Sequence, residues 1–451
     1  MSEQALERQV AAICRNILAR APEDRIDPTT ERVRAAVDLL GEPQRAYKVV
    51  HVAGTNGKTT TSRIADSLIR AHGLRTGRFT SPHLTSPLER IAIDGAPVSA
   101  AAFLDAWAQV APVVELVDAR SRAAGGPPLS FFEIMTLLAF TAFADAPVDV
   151  AVVEVGLGGL WDATNVVDST VQVIAPIARD HERYLGSALA DIAAEKAGII
   201  RSRAVIGRQP PEAAAVIERA LLDADAVGYW FGEDFDVVAR EVALGGQVAR
   251  LRGLAGEYDD VFLPLFGAHQ ADNAVLALAA VELLMSDADR PLPSAAYVEG
   301  LETADSPGRL EVVGHAPTVL VDSAHNVAGA EALVAAVEET FPIRLVALVG
   351  MLDDKDPEGF LGVLEPHVTR VVVTRSTSAR ALAPTALGDV AREVFGEDRV
   401  DVVDRLDEAL VRAVDLAGQD SPDAPGALAT GVLATGSVTI AAEVRILLGR
   451  S

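Results

Sequence analysis

Apolar residues along this chain recur in two rhythms, and the places where one gives way to the other mark its elements. From Glu31 to Leu40 they fall at helical spacing, and Gly41-Glu42-Pro43 closes the run. Tyr47 to Val52 (YKVVHV) reads as a strand. It runs into Gly54-Thr55-Asn56-Gly57-Lys58-Thr59, after which helical spacing carries to about Ala71 and stops at Gly73. Glu133 to Ala144 reads as a buried helix, and Asp149 to Val155 and Val171 to Ala175 as buried parallel strands. A helix rich in Ala and Leu follows Gln270, and the segment Ser286 to Pro293, rich in Asp and Pro, reads as an exposed connection.

Beyond Arg309 a second series begins. It predicts strands at Thr318–Val321, Arg344–Val349, Arg370–Thr374, Val400–Val403 and Val432–Ala434, with helices at about 328–340, 384–395 and 406–416. Strands alternating with helices predict a doubly wound, Rossmann-like α/β domain. The expected division is residues 1–305 and 306–451, without an internal repeat.

Composition narrows the partners. Of 451 residues half are hydrophobic and only 5% aromatic, so the core must be built from Ala, Val, Leu and Ile. A formal charge of −25 repels phosphate backbones and argues against nucleic acid, although one loop and a few cations suffice for a nucleotide. Cys14 is the single cysteine, which rules out an intramolecular disulfide. The N-terminus lacks an apolar leader stretch, and the apolar run near Ile134 to Ala144 is far short of the ~20 residues that span a bilayer. Together these predict a cytoplasmic protein with no membrane partner.

The sharpest chemistry is the loop from Gly54 to Thr60. Small residues between a strand and a helix let backbone N–H groups close around phosphates, and the helix N-terminus adds its positive end. Lys58 would neutralise outer phosphates, and Thr59 or Thr60 would offer a hydroxyl. Glu154 ends an apolar strand, at the edge where α/β proteins bind ligands. Read by residue type alone, His181 is a structural loop histidine, Lys196 a helix-face lysine, and Phe131 and Phe132 core packing.

AGTNGKTT with Thr80-Ser81-Pro82-His83-Leu84 and Glu89-Arg90-Ile91 resembles the folate ligases of the Mur ligase superfamily. The similarity continues through Phe131-Phe132-Glu133, Glu154 to Gly159, Asp162 to Asn165, Asp180-His181, Glu195 to Ile199, and Gly267 to Gln270 with Asn273. It then covers Pro307 to Glu311, Asp322 to Asn326, and Asp354-Lys355-Asp356. The resemblance implies a P-loop ATPase domain of Mur-ligase type followed by the Rossmann-like domain. It implies two magnesium sites, one held by Ser81 and Glu154 and the other by His181, and an N6-carboxylated Lys196. ATP would be bound by Gly54 to Thr60 together with Asn273, Arg309, Asp322 and His325. A pterin would sit among Asp27, Pro28, Ser130, Phe131, Phe132, Glu133, Trp161, Asp162 and Ala163, with Ile26 beside them.

The implied catalytic set is Lys58, Glu154, His181, Lys196 and Arg309. The implied activity is ATP-dependent joining of L-glutamate to dihydropteroate and to reduced folates through an acyl phosphate, by a monomer. The alternatives are polyglutamylation alone, ligation of an amino acid to a cell-wall nucleotide precursor, and a nucleotide switch without ligase activity. Three positions depart from the family pattern: Thr59-Thr60 in place of Gly-Ser, Leu160 in place of Arg, and Asp322-Ser323-Ala324-His325-Asn326-Val327 in place of DGAHNP.

Overall fold

The computed structural model describes residues 2–20, 27–286, 288–420 and 428–450. Ile26 and Asp287 lie outside the described residues. Two parallel-rich sheets and one small antiparallel sheet organise the described residues. The first sheet runs in the order Ala96–Pro97, Ile91–Ile93, Thr76–Phe79, Val150–Glu154, Lys48–Ala53, Val171–Ile174, Arg203–Ile206 and Val227–Trp230. Its last six strands are parallel, and the two at the first edge are antiparallel.

The continuous apolar character of the central strands follows from cover on both faces. Successive side chains of a strand point to opposite faces. Thus Val49 joins the core beneath helices Glu3–Arg20, Glu31–Leu39, Ala100–Ala123 and Phe131–Asp145, whereas Val50 and Val52 join helices Lys58–Ala71 and Ala268–Ser286. Each large apolar side chain so buried contributes roughly 1.5–3 kcal/mol. Among the described residues, Ala100–Ala123 is the one helix long and apolar enough to cross a membrane by length and composition. Here its stripe of Phe103, Ala106, Val110, Val114 and Val117 is buried in the core. Cys14 is buried in the same core, where desolvation pushes its thiol up to about 11.

The topology opens a crevice at the carboxyl ends of three neighbouring strands. After Lys48–Ala53 the chain returns at Thr76–Phe79 on one side, and Val171–Ile174 pairs on the other. The loop leaving Lys48–Ala53 therefore turns to one side and that leaving Val171–Ile174 to the other, as at other switch points of open α/β sheets, and Glu154 ends the strand that pairs with Lys48–Ala53 on the first side.

The second sheet has the order Glu311–His315, Thr318–Val321, Thr430–Thr435, Arg344–Val349, Arg370–Val373 and Val400–Val402. Thr318–Val321, Arg344–Val349 and the helix Pro384–Phe395 have the bounds that the hydrophobic pattern predicts. The pattern leads to five strands where six exist. Glu311–His315 is an antiparallel edge strand, mostly half-buried, so no continuous apolar run betrays it. The three-stranded meander Asp236–Ala243, Gly246–Arg252 and Glu257–Leu263 is likewise hidden in the sequence by its charged exposed face.

Candidate active site

The phosphate-type loop is shaped by two close approaches. Gly57 caps the helix Lys58–Ala71 with φ at 84°, in the left-handed region, and any side chain there would run into the carboxamide of Asn273. A Cβ on Gly54 would stand 2.7 Å from that of Ala175, just past the neighbouring strand Val171–Ile174. Asn273 is itself buried and donates to Gln270 at 3.1 Å. Thr55 ties the loop to the segment after Val171–Ile174, its hydroxyl bonding Ala178 O at 3.0 Å. Lys58 folds back on its own loop, with Nζ donating to Gly54 O at 3.0 Å and Thr55 O at 3.1 Å. Burial holds its ammonium below the ordinary lysine range, while Glu154 and Asp180 pull the other way.

The two threonines after Lys58 are not equivalent. Thr59 Oγ1 donates to Glu154 Oε1 at 3.0 Å, whereas Thr60 Oγ1 is buried and bonds Ser306 Oγ at 2.9 Å. Thr59 is the hydroxyl on the loop's carboxylate side. Glu154 is 1% exposed and takes one further hydrogen bond, from Ser81 N at 3.4 Å. Desolvation pushes its carboxyl up to about 7, against the pull of Lys58 and the Thr59 hydrogen bond. Lys196 is also buried and donates to Leu157 O at 3.0 Å. Its burial, reinforced by the Lys58 charge, brings the amine down to about 7.

Asp180 is the hub that sequence reasoning did not assign. Its carboxylate receives Lys355 Nζ at 2.5 Å, Asn326 Nδ2 at 3.0 Å and His181 N at 2.7 Å, and contacts His325 Nε2 at 3.2 Å. Burial would raise this carboxyl, but the His325 hydrogen bond and the cations around it hold it far below the usual carboxylate range. His325, Asn326 and Lys355 all follow the second sheet's strands, so this cluster joins the two sheets' loops. Asn326 and Asn56 add a reciprocal pair of side-chain hydrogen bonds at 3.2 and 3.3 Å. The signal for Asp180, Asn326 and Lys355 was present, because each lies in a segment that resembles the family.

His181 stands beside Asp180 with φ at 54°, and its ring lies 3.9 Å from both Asp180 and Asp354 carboxylate oxygens. Desolvation drops its imidazole to about 2. Arg309 is half-buried and shares a cavity wall with Thr59. Asp322 is turned to local use. Its oxygens accept Leu310 N and Ala324 N, each at 2.7 Å, and so fix the turn that carries Arg309. Burial raises its carboxyl.

The segment predicted for a pterin is mostly committed to structure. Ser130 and Glu133 form a capping box that starts the helix Phe131–Asp145. Glu133 also pairs with Arg32 at 3.0 Å, and Arg32 bridges to Asp27 at 2.5 Å, beside Pro28. Arg32 had not been singled out. Phe131 is fully buried beneath Arg90, whose guanidinium lies 5.0 Å above the ring. Phe132 is only partly buried, against Phe79. Asp162 accepts Gly156 N, Leu157 N, Thr164 N and the Thr164 hydroxyl at 2.6–3.1 Å, so every bond it makes pins its own loop. Ala163 is buried nearby, and Trp161 is half-buried, its backbone N–H donating to Glu195 Oε1 at 3.1 Å. Leu160, where the family has Arg, is 59% exposed, so the departure falls on a solvent-facing side chain.

The site's donor set suits magnesium. That ion takes one or two protein oxygens alongside phosphate oxygens rather than a full protein cage. Among the described residues no group of three or more His, Cys, Asp or Glu side chains is placed to hold an ion by itself. Glu154 is a buried carboxylate beside a phosphate-type loop with only two protein donors.

Comparison with known proteins extends this picture. Residues 308–437 match the family model described as Mur ligase, glutamate ligase domain. The chain is 49% identical over 448 residues to the dihydrofolate synthase/folylpolyglutamate synthase of Mycobacterium tuberculosis, covering 96% of this chain and 92% of that one. Among solved structures, Mycobacterium tuberculosis folylpolyglutamate synthase complexed with ADP superposes with a TM-score of 0.94 at 47% identity, over 100% of both chains. E. coli FolC in complex with DHPP and ADP gives 0.81 at 29% identity, over 97% of each.

Proposed function

The chain belongs to the dihydrofolate synthase/folylpolyglutamate synthase family, and from that premise we propose how its own residues carry out ATP-dependent ligation of L-glutamate to dihydropteroate and to reduced folates. The observation that carries the reading is the convergence of charge from both sheets. Lys58, Glu154 and Lys196 meet Asp180, His181, His325 and Lys355 in one crevice. The nucleotide-binding part is residues 1–305 and the second lobe 306–451.

A carboxylate resists an amine because its leaving group would be oxide. An oxygen of the acceptor's carboxylate attacks the γ-phosphorus of ATP, and the bond to the bridging oxygen breaks, releasing ADP. The glutamate nitrogen then attacks the acyl carbon, the carbon–oxygen bond to phosphate breaks, and the amine gives up a proton as the amide forms. Phosphoryl transfer of this kind depends on positioning and charge neutralisation. The N–H groups of Thr55 and Asn56 are bonded to Pro176 O, so the phosphates are cradled by those of Gly57 and the first turn of the helix Lys58–Ala71, with the Asn56 side chain facing the second lobe. Lys58 leaves its loop carbonyls for the outer phosphates, and Arg309 approaches from the second lobe. Asn273 and His325 border the nucleotide, and Asp322 holds the Arg309 turn.

Ser81 with Glu154 would hold one magnesium ion and His181 a second; when bound, magnesium supplies charge neutralisation across the phosphates. Lys196 carries an N6-carboxyl group. Its amine is buried and brought down to about 7, so a neutral nitrogen is available to bond the carbon of CO2 and release a proton. Intact-mass measurement under bicarbonate, against Lys196→Arg, reads this directly as the mass of one CO2. Phe132 offers a partly exposed ring to a flat heterocycle. The protein acts as a cytoplasmic monomer on small molecules.

The test is phosphate release with ATP and magnesium, adding dihydropteroate, tetrahydrofolate and glutamate in every combination. Release requires an acceptor and glutamate jointly, and both acceptors support it. Turnover indifferent to glutamate would overturn the ligase reading, and activity with tetrahydrofolate alone would restrict it to polyglutamylation.

A further inference from the structure

The three-stranded meander, with Phe266 and Gly267 just after it, takes no part in the chemistry above. It nevertheless forms a second meeting place of the two lobes, on residues other than those of the crevice. Gly267 is buried with φ at 94°, and a Cβ built on it would stand 2.5 Å from that of Ala336, on the helix Val327–Thr340 of the second lobe. A backbone without a side chain is what lets the two come so close. Phe266 meets Phe341 edge to face, with ring centroids 5.2 Å apart. Arg240, on the meander's first strand, pairs with Glu339 at 2.7 Å, both partly shielded from solvent.

The first lobe holds its side of this contact firmly. Gln247 is buried on the meander's middle strand, and its Nε2 donates to Leu265 O at 2.8 Å and to Gly267 O at 3.0 Å. Gly267 O also accepts Gln270 N at 3.1 Å, which ties the seat to the helix that carries Asn273. On the other side, the helix Val327–Thr340 starts at its N-cap Asn326, the residue that bonds Asp180 and Asn56 in the crevice. Ala336 lies about 15 Å further along that helix. Close-packed elements pass strain on rather than absorb it, so a shift at Ala336 reaches Asn326 and its neighbour His325.

We propose that Gly267, backed by Gln247 and flanked by the Arg240–Glu339 pair, is the seat that positions the second lobe. It fixes where the helix Val327–Thr340 stops against the first lobe, and so where His325 and Asn326 stand beside the phosphate-type loop. These are positioning residues, acting through Asn326 rather than by touching a substrate. Their effect on turnover rests on the ligase reading above, whereas the seating itself does not. The meander thereby has a use as the bracket that carries the seat.

Substitution of Gly267 itself would strain its left-handed backbone, so the wedge is placed opposite, as Ala336→Leu. A charge exchange gives an independent set: Arg240→Glu, Glu339→Arg, and the two together. Each is read in two ways on the full chain. One is kcat with ATP, magnesium, glutamate and dihydropteroate. The other is the distance between spin labels on Leu244→Cys and Val411→Cys, which are exposed on the first and second lobes, while Cys14 stays buried. Ala336→Leu should lower kcat about 10- to 100-fold and displace or broaden the label distance, since a misplacement of ~1 Å suffices for such a loss. Each single charge variant should lower kcat about 3- to 10-fold, and the double exchange should restore both kcat and the distance, which a general loss of stability would not do. Unchanged kcat and distance in folded Ala336→Leu and in both single variants would overturn the seat, as would a displaced distance with full kcat. Single losses that the double exchange leaves uncorrected would overturn it too. If Ala336→Leu does not fold, the charge set decides alone. Parent turnover indifferent to glutamate would instead sink the ligase reading, and the label distance, which needs no turnover, would still test the seat.

Discussion

Two corners of the molecule are built from the same kinds of residue and use them differently. Around Lys58 and Asp180, side chains from both sheets meet, and several charged groups share too few partners to be neutralised locally. Around Ser130, Glu133 and Asp162, every carboxylate oxygen that makes a bond makes it to a nearby N–H, hydroxyl or guanidinium. The first corner holds groups whose pKa values are displaced by burial and by neighbouring charge, and such displacement clusters at functional sites. In the second the polar residues hold the walls, and a ligand would meet the wall rather than those carboxylates.

Substitutions can break this contrast. Lys58→Ala should cost about 100- to 1,000-fold in kcat, with thermal unfolding essentially unchanged, because one preorganised charge on the phosphates is lost. A smaller kinetic loss, or a collapse of stability, would put Lys58 among the structural residues. Asp162→Asn should act in the opposite way. Its carboxylate takes four hydrogen bonds, so stability should fall by about 2–3 kcal/mol in denaturant titration, with kcat of the folded fraction retained. Loss of pteroate affinity without loss of stability would move Asp162 to the ligand.

His51 sharpens the structural side through pH. It is fully buried on the central strand, bonded to Thr164 Oγ1 at 2.9 Å, and desolvation lowers its imidazole to about 3 from 6.5. The unfolded chain takes up the proton first, so stability is full above about 6.5 and is lost as pH falls towards 3. Between pH 6 and 4.5 that loss should approach about 2 kcal/mol, and His51→Gln should remove this part of the slope. The smallest effects separate neighbours. Thr59→Val should lower kcat about tenfold with little effect on stability, whereas Thr60→Val, which loses the Ser306 contact, should cost about 1 kcal/mol and leave kcat alone.

The hydrophobic rhythm made the buried parallel strands legible, because cover on both faces forces continuous apolar runs. It missed the helix Glu3–Arg20, the edge strand Glu311–His315 and the exposed meander, whose polar faces dilute any run, and also the helix Ala100–Ala123, which is apolar along most of its length. The glycine-rich turn between strand and helix announced itself, and the left-handed φ of Gly57 explains why. Residue types alone did not distinguish Thr59 from Thr60, since only the fold places Ser306 against one and Glu154 against the other. Nor did they reveal Asp180 as a hub, because His325, Asn326 and Lys355 approach it from 145 to 175 residues away along the chain. Asp162 and Glu133 carried the right chemistry for a pterin, yet local N–H groups had claimed them.

The central claim is that the acceptor's carboxylate is activated as an acyl phosphate between the two lobes. It is tested most directly by following one oxygen. Dihydropteroate carrying oxygen-18 in its carboxylate is turned over with ATP, magnesium and glutamate, and the released phosphate is weighed. The account predicts one labelled oxygen in each inorganic phosphate formed; phosphate free of label, with amide still produced, would contradict it.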